Sequence, residues 1–136
     1  DVGAMICYEV VYPEAASSAP RPGWLLNLSN DAWFTDEGAE MHLAQARMRA
    51  IEQGLPMARA TPTGISAVID PWGRITASLG RNSAGRIITP LPTARAATPF
   101  ARLGTPLPIG LALLFLIAAF AMAQPSRVDE MGPAQS

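Results

Sequence analysis

The chain has 136 residues, a net charge of −1 and 49% hydrophobic residues, enough for one modest domain, and it carries no basic run interleaved with aromatics of the kind that binds nucleic acid. One cysteine and one histidine exclude an intrachain disulfide and fall short of a structural zinc ligand set, so no metal and no other cofactor is expected. All ten basic residues are arginine, so any chemistry that needs a lysine must draw it from outside these residues.

In chain order, Met5-Ile6-Cys7-Tyr8-Glu9 is an apolar, strand-like lead into the sole cysteine, with a carboxylate two residues beyond it and a helix-like stretch from Val10 to Ala16 after it. A fold exposes a nucleophile in this way, although a free cysteine more often behaves as a small buried hydrophobe. Trp24 to Leu28 is a short apolar run between Pro20, Pro22 and Gly23 on one side and Ser29-Asn30-Asp31 on the other, which predicts a buried strand ending in a polar loop. Glu37 to Gln53 carries Met41, Ala44, Met48 and Ile51, with Leu55 beyond, at three- and four-residue spacing, which predicts an amphipathic helix stopped by Gly54 and Pro56.

After the helix the period shortens. Met57 to Ala60, Ile65 to Ile69, Ile75 to Leu79 and Arg86 to Leu91 are short, rich in β-branched residues and separated by Gly or Pro, so they predict strands of mixed pairing. Asp70-Pro71-Trp72-Gly73 has the residues of a type I turn and predicts a hairpin. From Pro90 to Pro108 the composition shifts to Pro, Thr, Ala and Arg, as in a linker. Leu107 to Ala123 is almost wholly apolar, close to the ~20 residues that a membrane-spanning helix needs. A short polar tail follows. Arg86, Arg95 and Arg102 before the span outnumber Arg127 after it, and that count alone puts the globular part in the cytoplasm.

Four motifs in one order carry a resemblance: Ile6-Cys7-Tyr8-Glu9; Leu28-Ser29-Asn30-Asp31-Ala32-Trp33-Phe34; His42 with Ala46 to Glu52; and Gly64 to Gly73. With the apolar span after them, they resemble the C-terminal part of the carbon-nitrogen hydrolase (nitrilase) superfamily, and within it the membrane-bound acyltransferases that modify bacterial lipoproteins. The resemblance covers Val2 to Ala123. It implies an α/β fold: residues 1–94 as the C-terminal part of a nitrilase-like αββα sandwich, 95–106 as a linker, 107–123 as a C-terminal transmembrane helix and 124–136 as a polar tail. The chain opens on Asp1 with no initiator methionine or signal-peptide pattern, and reads as the C-terminal piece of something larger.

By the same resemblance Cys7 is the nucleophile of a Glu-Lys-Cys triad. It takes a fatty acyl chain from a phospholipid as a thioester and passes it to the N-terminal diacylglyceryl cysteine of an apolipoprotein. The triad's glutamate and lysine are expected upstream, because no Glu precedes Cys7 and there is no Lys, so these residues alone should be inactive. Glu9 is placed beside the nucleophile, holding its loop or an incoming amine, with a loop carboxylate hydrogen-bonded to backbone as the rival role; the Tyr8 backbone N–H is the oxyanion donor, with packing as the rival role for its ring. Asn30, Trp33 and Phe34 belong to the wall and lid of the pocket, with core packing as the rival role for Phe34. Arg59, a charge in an apolar strand, pairs with a carboxylate either in the site or structurally. His42 is an internal substitute base only if it departs from the ordinary structural histidine. Arg47, Arg49 and Glu52 are expected as ion pairs on the helix. Thr35 and Pro62 stand where the resemblance leads one to expect Gly and Asn. The implied setting is the bacterial inner membrane with the catalytic domain on the periplasmic face. Two alternatives remain open: a nitrilase-type amidohydrolase with a membrane anchor, and a non-catalytic truncated membrane module.

Overall fold

The computed structural model describes residues 1–17 and 20–123, and the expected polar tail at 124–136 lies outside the described residues. Five strands, β1 (Val2–Ile6), β2 (Trp24–Leu28), β3 (Met57–Ala60), β4 (Ser66–Ile69) and β5 (Ile75–Leu79), form one sheet in sequence order. Helix α1 (Asp36–Gln53) joins β2 to β3. A helical crossover returns the chain in the same direction, so β2 and β3 pair in parallel, as do β1 and β2. The short connections after β3 and β4 reverse the chain, so the last two pairings are antiparallel. The mixed pairing expected from the sequence is therefore present.

Alternation sorts the strands into two faces. Met5, Leu25, Met57 and Ile69 point to one side and are buried with Leu43, Ala46 and Ala50 of α1. Each large side chain in this layer contributes roughly 1.5–3 kcal/mol by leaving water. On the other side Val2, Ile6 and Leu28 are exposed.

Helix α1 begins where Thr35 Oγ1 accepts from the Gly38 N–H and ends at Gly54, whose φ of 63° makes the left-handed cap. Its buried face corrects the sequence reading. Met41, Met48 and Ile51 are exposed, whereas Ala39, His42, Leu43, Ala46, Arg49, Ala50 and Gln53 are buried. Arg49 is kept there by donating to Val11 O at 3.1 Å and to Glu52 at 2.9 Å, while Arg47 donates to Gly73 O at 2.7 Å.

The β4–β5 hairpin forms as its residues dictate. Asp70 O accepts from Gly73 N at 2.9 Å, and Asp70 Oδ1 accepts from Trp72 N and Arg74 N, both at 2.8 Å. Gly73 sits at φ 78°, and a Cβ there would lie 2.6 Å from Ile51 Cδ1. Gly73→Ala should therefore cost about 1–3 kcal/mol, read as a lowered melting temperature of the full-length protein; an unchanged melt would remove this turn as the anchor of α1 on the hairpin.

The strand expected at Arg86 to Leu91 does not form. Beyond β5 these residues meet no ladder partner among the described residues, Pro90 lacks an N–H to donate, and Ile88 is exposed. The stretch read as a linker instead contains a short helix, α2 (Pro99–Leu103), and Arg95 N donates to Gly54 O at 2.9 Å. A second compact unit begins at Thr105. Its helix α3 (Pro106–Ala123) has 18 residues and a mean hydropathy of 2.3, long and apolar enough by length and composition to cross a membrane.

Candidate active site

The parallel register sets Ile6 beside Leu28, so the residues that leave β1 and β2 at their C-terminal ends, Cys7 and Ser29, emerge side by side. Cys7 turns out of the strand at φ 50°, a left-handed conformation that costs a non-glycine residue about 1–2 kcal/mol. The chain then enters a 3₁₀ turn over Cys7–Val11. Glu9 fastens this elbow by reaching back, its Oε2 accepting from Ile6 N at 2.6 Å. The contact that the structure displays for Glu9 is this backbone hydrogen bond within the Cys7 loop. Cys7 is half-buried, and Ser29 Oγ lies 3.8 Å from its Sγ.

Under the elbow lies a buried polar cluster. Asn27 Nδ2 donates to Met5 O at 3.2 Å and to Cys7 O at 3.5 Å, so the peptide carrying the thiol is held from below. Asn27 Oδ1 in turn accepts from Arg59 Nη1. Arg59 Nη2 donates to Asp31 Oδ2 at 2.6 Å, with both side chains excluded from solvent. Asp31 Oδ1 accepts from Ser29 Oγ at 2.8 Å and faces His42 Nδ1 at 2.9 Å. The Asp31 carboxylate only accepts, so the 2.9 Å contact is a hydrogen bond when Nδ1 carries a proton; Arg59 Nη2, 3.1 Å from the same nitrogen, is also a donor and then gives its proton to Asp31 alone. Burial works against the charge on Asp31. The Ser29 hydrogen bond, the Arg59 charge and the bonds from His42 and Arg59 outweigh it, and its carboxyl sits below the usual value of 3.8.

The expected pairing of Arg59 with a carboxylate is thus present: the side chain is buried and spends its donors on Asn27 and Asp31. His42 is likewise buried, packed edge-on to Phe34 with ring centroids 5.2 Å apart and 6.4 Å from Tyr8. Tyr8, Val11, Phe34, Met41 and His42 line an apolar cleft of about 220 Å³. Asn30 shapes the loop after β2, its Oδ1 accepting from Ala32 N at 3.1 Å and from Thr63 Oγ1 at 3.3 Å. Trp33 is 84% exposed, at the far edge of that loop. The structure therefore brings Cys7, Tyr8, Glu9, Phe34 and Arg59 to one end of the sheet and leaves Trp33 reaching outward. Sequence reasoning did not select Ser29, Asp31 and Asn27. The available signals were an asparagine inside an apolar run and an arginine in β3 that required a counter-ion. Among the described residues no three His, Cys, Asp or Glu side chains converge as metal ligands.

The likeness to known proteins takes in the whole sheet. The Carbon-nitrogen hydrolase family model matches residues 1–98. The chain is 52% identical over 116 residues to a protein of Rhodopseudomonas palustris named Apolipoprotein N-acyltransferase, covering 83% of this chain and 22% of that relative. It is 51% identical over 117 residues to the protein of the same name from Bradyrhizobium diazoefficiens, covering 84% of this chain and 22% of that one. The chain thus spans about a fifth of the length of these curated relatives. Among solved structures, Saccharomyces cerevisiae Nit3, a member of branch 10 of the nitrilase superfamily, aligns at a TM-score of 0.52 and 28% identity, over 59% of this chain and 33% of that one. A CN-hydrolase superfamily protein of Xanthomonas campestris shares the fold at a TM-score of 0.55 and 20% identity, over 93% of this chain and 48% of that one. With a cysteine at the elbow after a parallel strand and a family match that runs from β1 through the last strand, the chain belongs to the carbon-nitrogen hydrolase family.

Proposed function

We propose that these residues supply the nucleophilic part of a membrane-bound apolipoprotein N-acyltransferase. The observation that carries this reading is Cys7, lifted on a left-handed elbow at the end of β1, in a chain about half identical to proteins of that name. The Cys7 thiolate attacks the ester carbonyl of a phospholipid; the C–S bond forms, and the lysophospholipid leaves as an alcohol after taking a proton. The α-amine of the lipoprotein's diacylglyceryl cysteine then attacks the thioester and gives up a proton to the base; the C–N bond forms, the C–S bond breaks, and an amide and the thiolate result. An unperturbed thiol is only a few per cent ionised at neutral pH, so a base and a cation must assist. The superfamily's glutamate and lysine come from the remainder of the full-length protein.

Within this segment the Tyr8 N–H donates to the oxyanion that forms at each step, and Glu9 holds the elbow that presents both the sulfur and this donor. The cleft beside Tyr8 and Phe34 accepts part of the acyl chain. Asn30 fixes the loop that carries Trp33 and Phe34 as its wall and lid. Arg59 acts from beneath, through Asp31 and Asn27. The second sheet of an αββα sandwich covers Val2, Ile6 and Leu28, which this segment leaves exposed. Helix α3 spans the inner membrane, and the catalytic part lies on the periplasmic side, where the acceptor is found.

The test uses full-length protein in detergent with a phospholipid labelled in its acyl chain and a diacylglyceryl lipopeptide. Labelled amide on the lipopeptide is expected, with a hydroxylamine-sensitive label on the protein when the acceptor is withheld, and Cys7→Ala should reduce both to background. Free fatty acid or hydrolysis of small amides without lipopeptide acylation would replace the reading with an amidohydrolase. No turnover by folded protein would leave a non-catalytic module.

A further inference from the structure

Ser29 stands between the reacting sulfur and the buried Asp31–Arg59 pair, and none of the chemistry above uses it. Its backbone is fixed by the sheet: Ser29 N donates to Ala60 O at 3.0 Å, and the residue is 8% exposed. Its Oγ is 2.8 Å from Asp31 Oδ1 and 3.8 Å from Cys7 Sγ. A serine hydroxyl has one proton to give. Asp31, held ionised beside Arg59, offers only acceptors, and a thiolate offers only an acceptor. The proton therefore serves one of them at a time.

We propose that Ser29 is a positioning residue for Cys7 whose hydroxyl is a two-position hydrogen-bond switch, given to Asp31 while the sulfur is a thiol or thioester and to the sulfur while it is a thiolate. This rests on the reading of Cys7 as the nucleophile. In the resting state the O–H points to Asp31 and the Oγ lone pair receives the S–H, which fixes the direction of the thiol. When the base removes the thiol proton, the O–H turns to the sulfur and gives a charge-assisted bond. No bond at Ser29 is made or broken. Asp31 tolerates the loss, because Arg59 still donates to Oδ2 at 2.6 Å and His42 still faces Oδ1 at 2.9 Å. Once the acyl chain is on the sulfur its charge is gone, and the hydroxyl returns to Asp31. When the amine expels the thiolate, the same donor receives it.

The titratable and charged groups at this end of the sheet come from each neighbouring element: Tyr8 and Glu9 from the 3₁₀ turn, Asp31 from the loop after β2, His42 from α1 and Arg59 from β3. Asp31 and Arg59 cancel as a pair, and Glu9 is tied to Ile6 N. Among the described residues the Ser29 hydroxyl is thus a neutral side-chain donor within reach of the sulfur, and its removal leaves these charges in place.

The experiment is the pH profile of iodoacetamide alkylation at Cys7 in the full-length protein, followed by the mass of the Cys7 peptide. Ser29→Ala should raise the apparent thiol pKa by about one unit, a roughly tenfold slower alkylation near neutral pH. Ser29→Thr, which keeps the hydroxyl, should stay within about twofold of the parent by the same constant. A Ser29→Ala profile that overlays the parent's, or a Thr variant displaced as far as the Ala variant, overturns the proposal. A measurement on the unaltered protein stands apart from how any Ser29 variant folds. The S–H stretch of Cys7, isolated by subtracting the spectrum of Cys7→Ser, should be shifted as for a thiol bonded to oxygen; an unshifted stretch also overturns it. Alkylation needs no acyl substrate, so a displaced profile without lipopeptide acylation retains the switch and removes the acyltransferase, whereas acylation with an undisplaced profile does the reverse.

Discussion

Asp31→Ala should lower stability by about 3–5 kcal/mol, a large part of what holds an ordinary domain folded. The size follows from what remains. Arg59 is buried in β3 with no route to water, and removing Asp31 leaves its guanidinium uncompensated, with Ser29 and His42 stripped of their acceptor. Asp31→Asn keeps the shape and loses the charge, so its cost should fall between the parent and the alanine variant. Denaturant unfolding of the full-length protein reads both, and an alanine midpoint at the parental value would mean that the pair is not closed as described. The pH dependence has a defined sign. Because the folded-state carboxyl titrates below its ordinary 3.8, the stability it confers is complete above that value and is lost as pH falls through the lower one. Both variants should lack this acid step.

The second large effect is expected at a residue with no side chain. A Cβ at Gly64 would lie 2.7 Å from Asp31 Cγ and 2.8 Å from Asp31 Cβ, and would overlap the carboxylate oxygen that Arg59 uses. A retreat of the backbone would strain the bond that Gly64 N donates to Thr61 Oγ1 at 3.2 Å. Gly64→Ala should cost about 1–3 kcal/mol by overpacking and by pushing Asp31 off its partner. Its mechanism is separable from ordinary crowding by a cycle. In the Asp31→Ala background the new methyl occupies vacated space, so the two costs should fall short of additivity by more than about 1 kcal/mol. Additive costs would place the strain of Gly64→Ala somewhere other than Asp31.

The elements that depend on near neighbours were readable from the sequence. The strand before Cys7, the helix between Thr35 and Gly54 and the Asp70–Gly73 turn are fixed by alternation, caps and turn chemistry that lie within a few residues. The face of α1 was not readable in this way. Its apolar stripe, Met41, Met48 and Ile51, is exposed, and its buried stripe carries His42, Arg49 and Gln53. These polar residues are tolerated inside because their partners, Asp31, Val11 O and Ser17 Oγ, arrive from elsewhere in the chain. Periodicity counts hydrophobicity and has no knowledge of such partners. The strand read at Arg86 to Leu91 failed for the complementary reason: its local composition suits a strand, and among the described residues no neighbour supplies the other half of a ladder. At the site, Cys7 and Arg59 stood out as unusual residues in their surroundings, while Ser29 and Asp31 looked like ordinary loop residues until the parallel register placed them under the elbow.

The conformation of Cys7 sets two demands on one position. Its φ of 50° is one that glycine adopts at no steric cost and that a residue with a Cβ adopts under strain. Mutational drift toward glycine would relax the turn and delete the sulfur in the same step. Selection for a steadier fold and selection for chemistry therefore pull against each other at the end of β1, and the Glu9 tether to Ile6 N and the Asn27 bond to Cys7 O are where the surrounding chain settles that contest in favour of the sulfur.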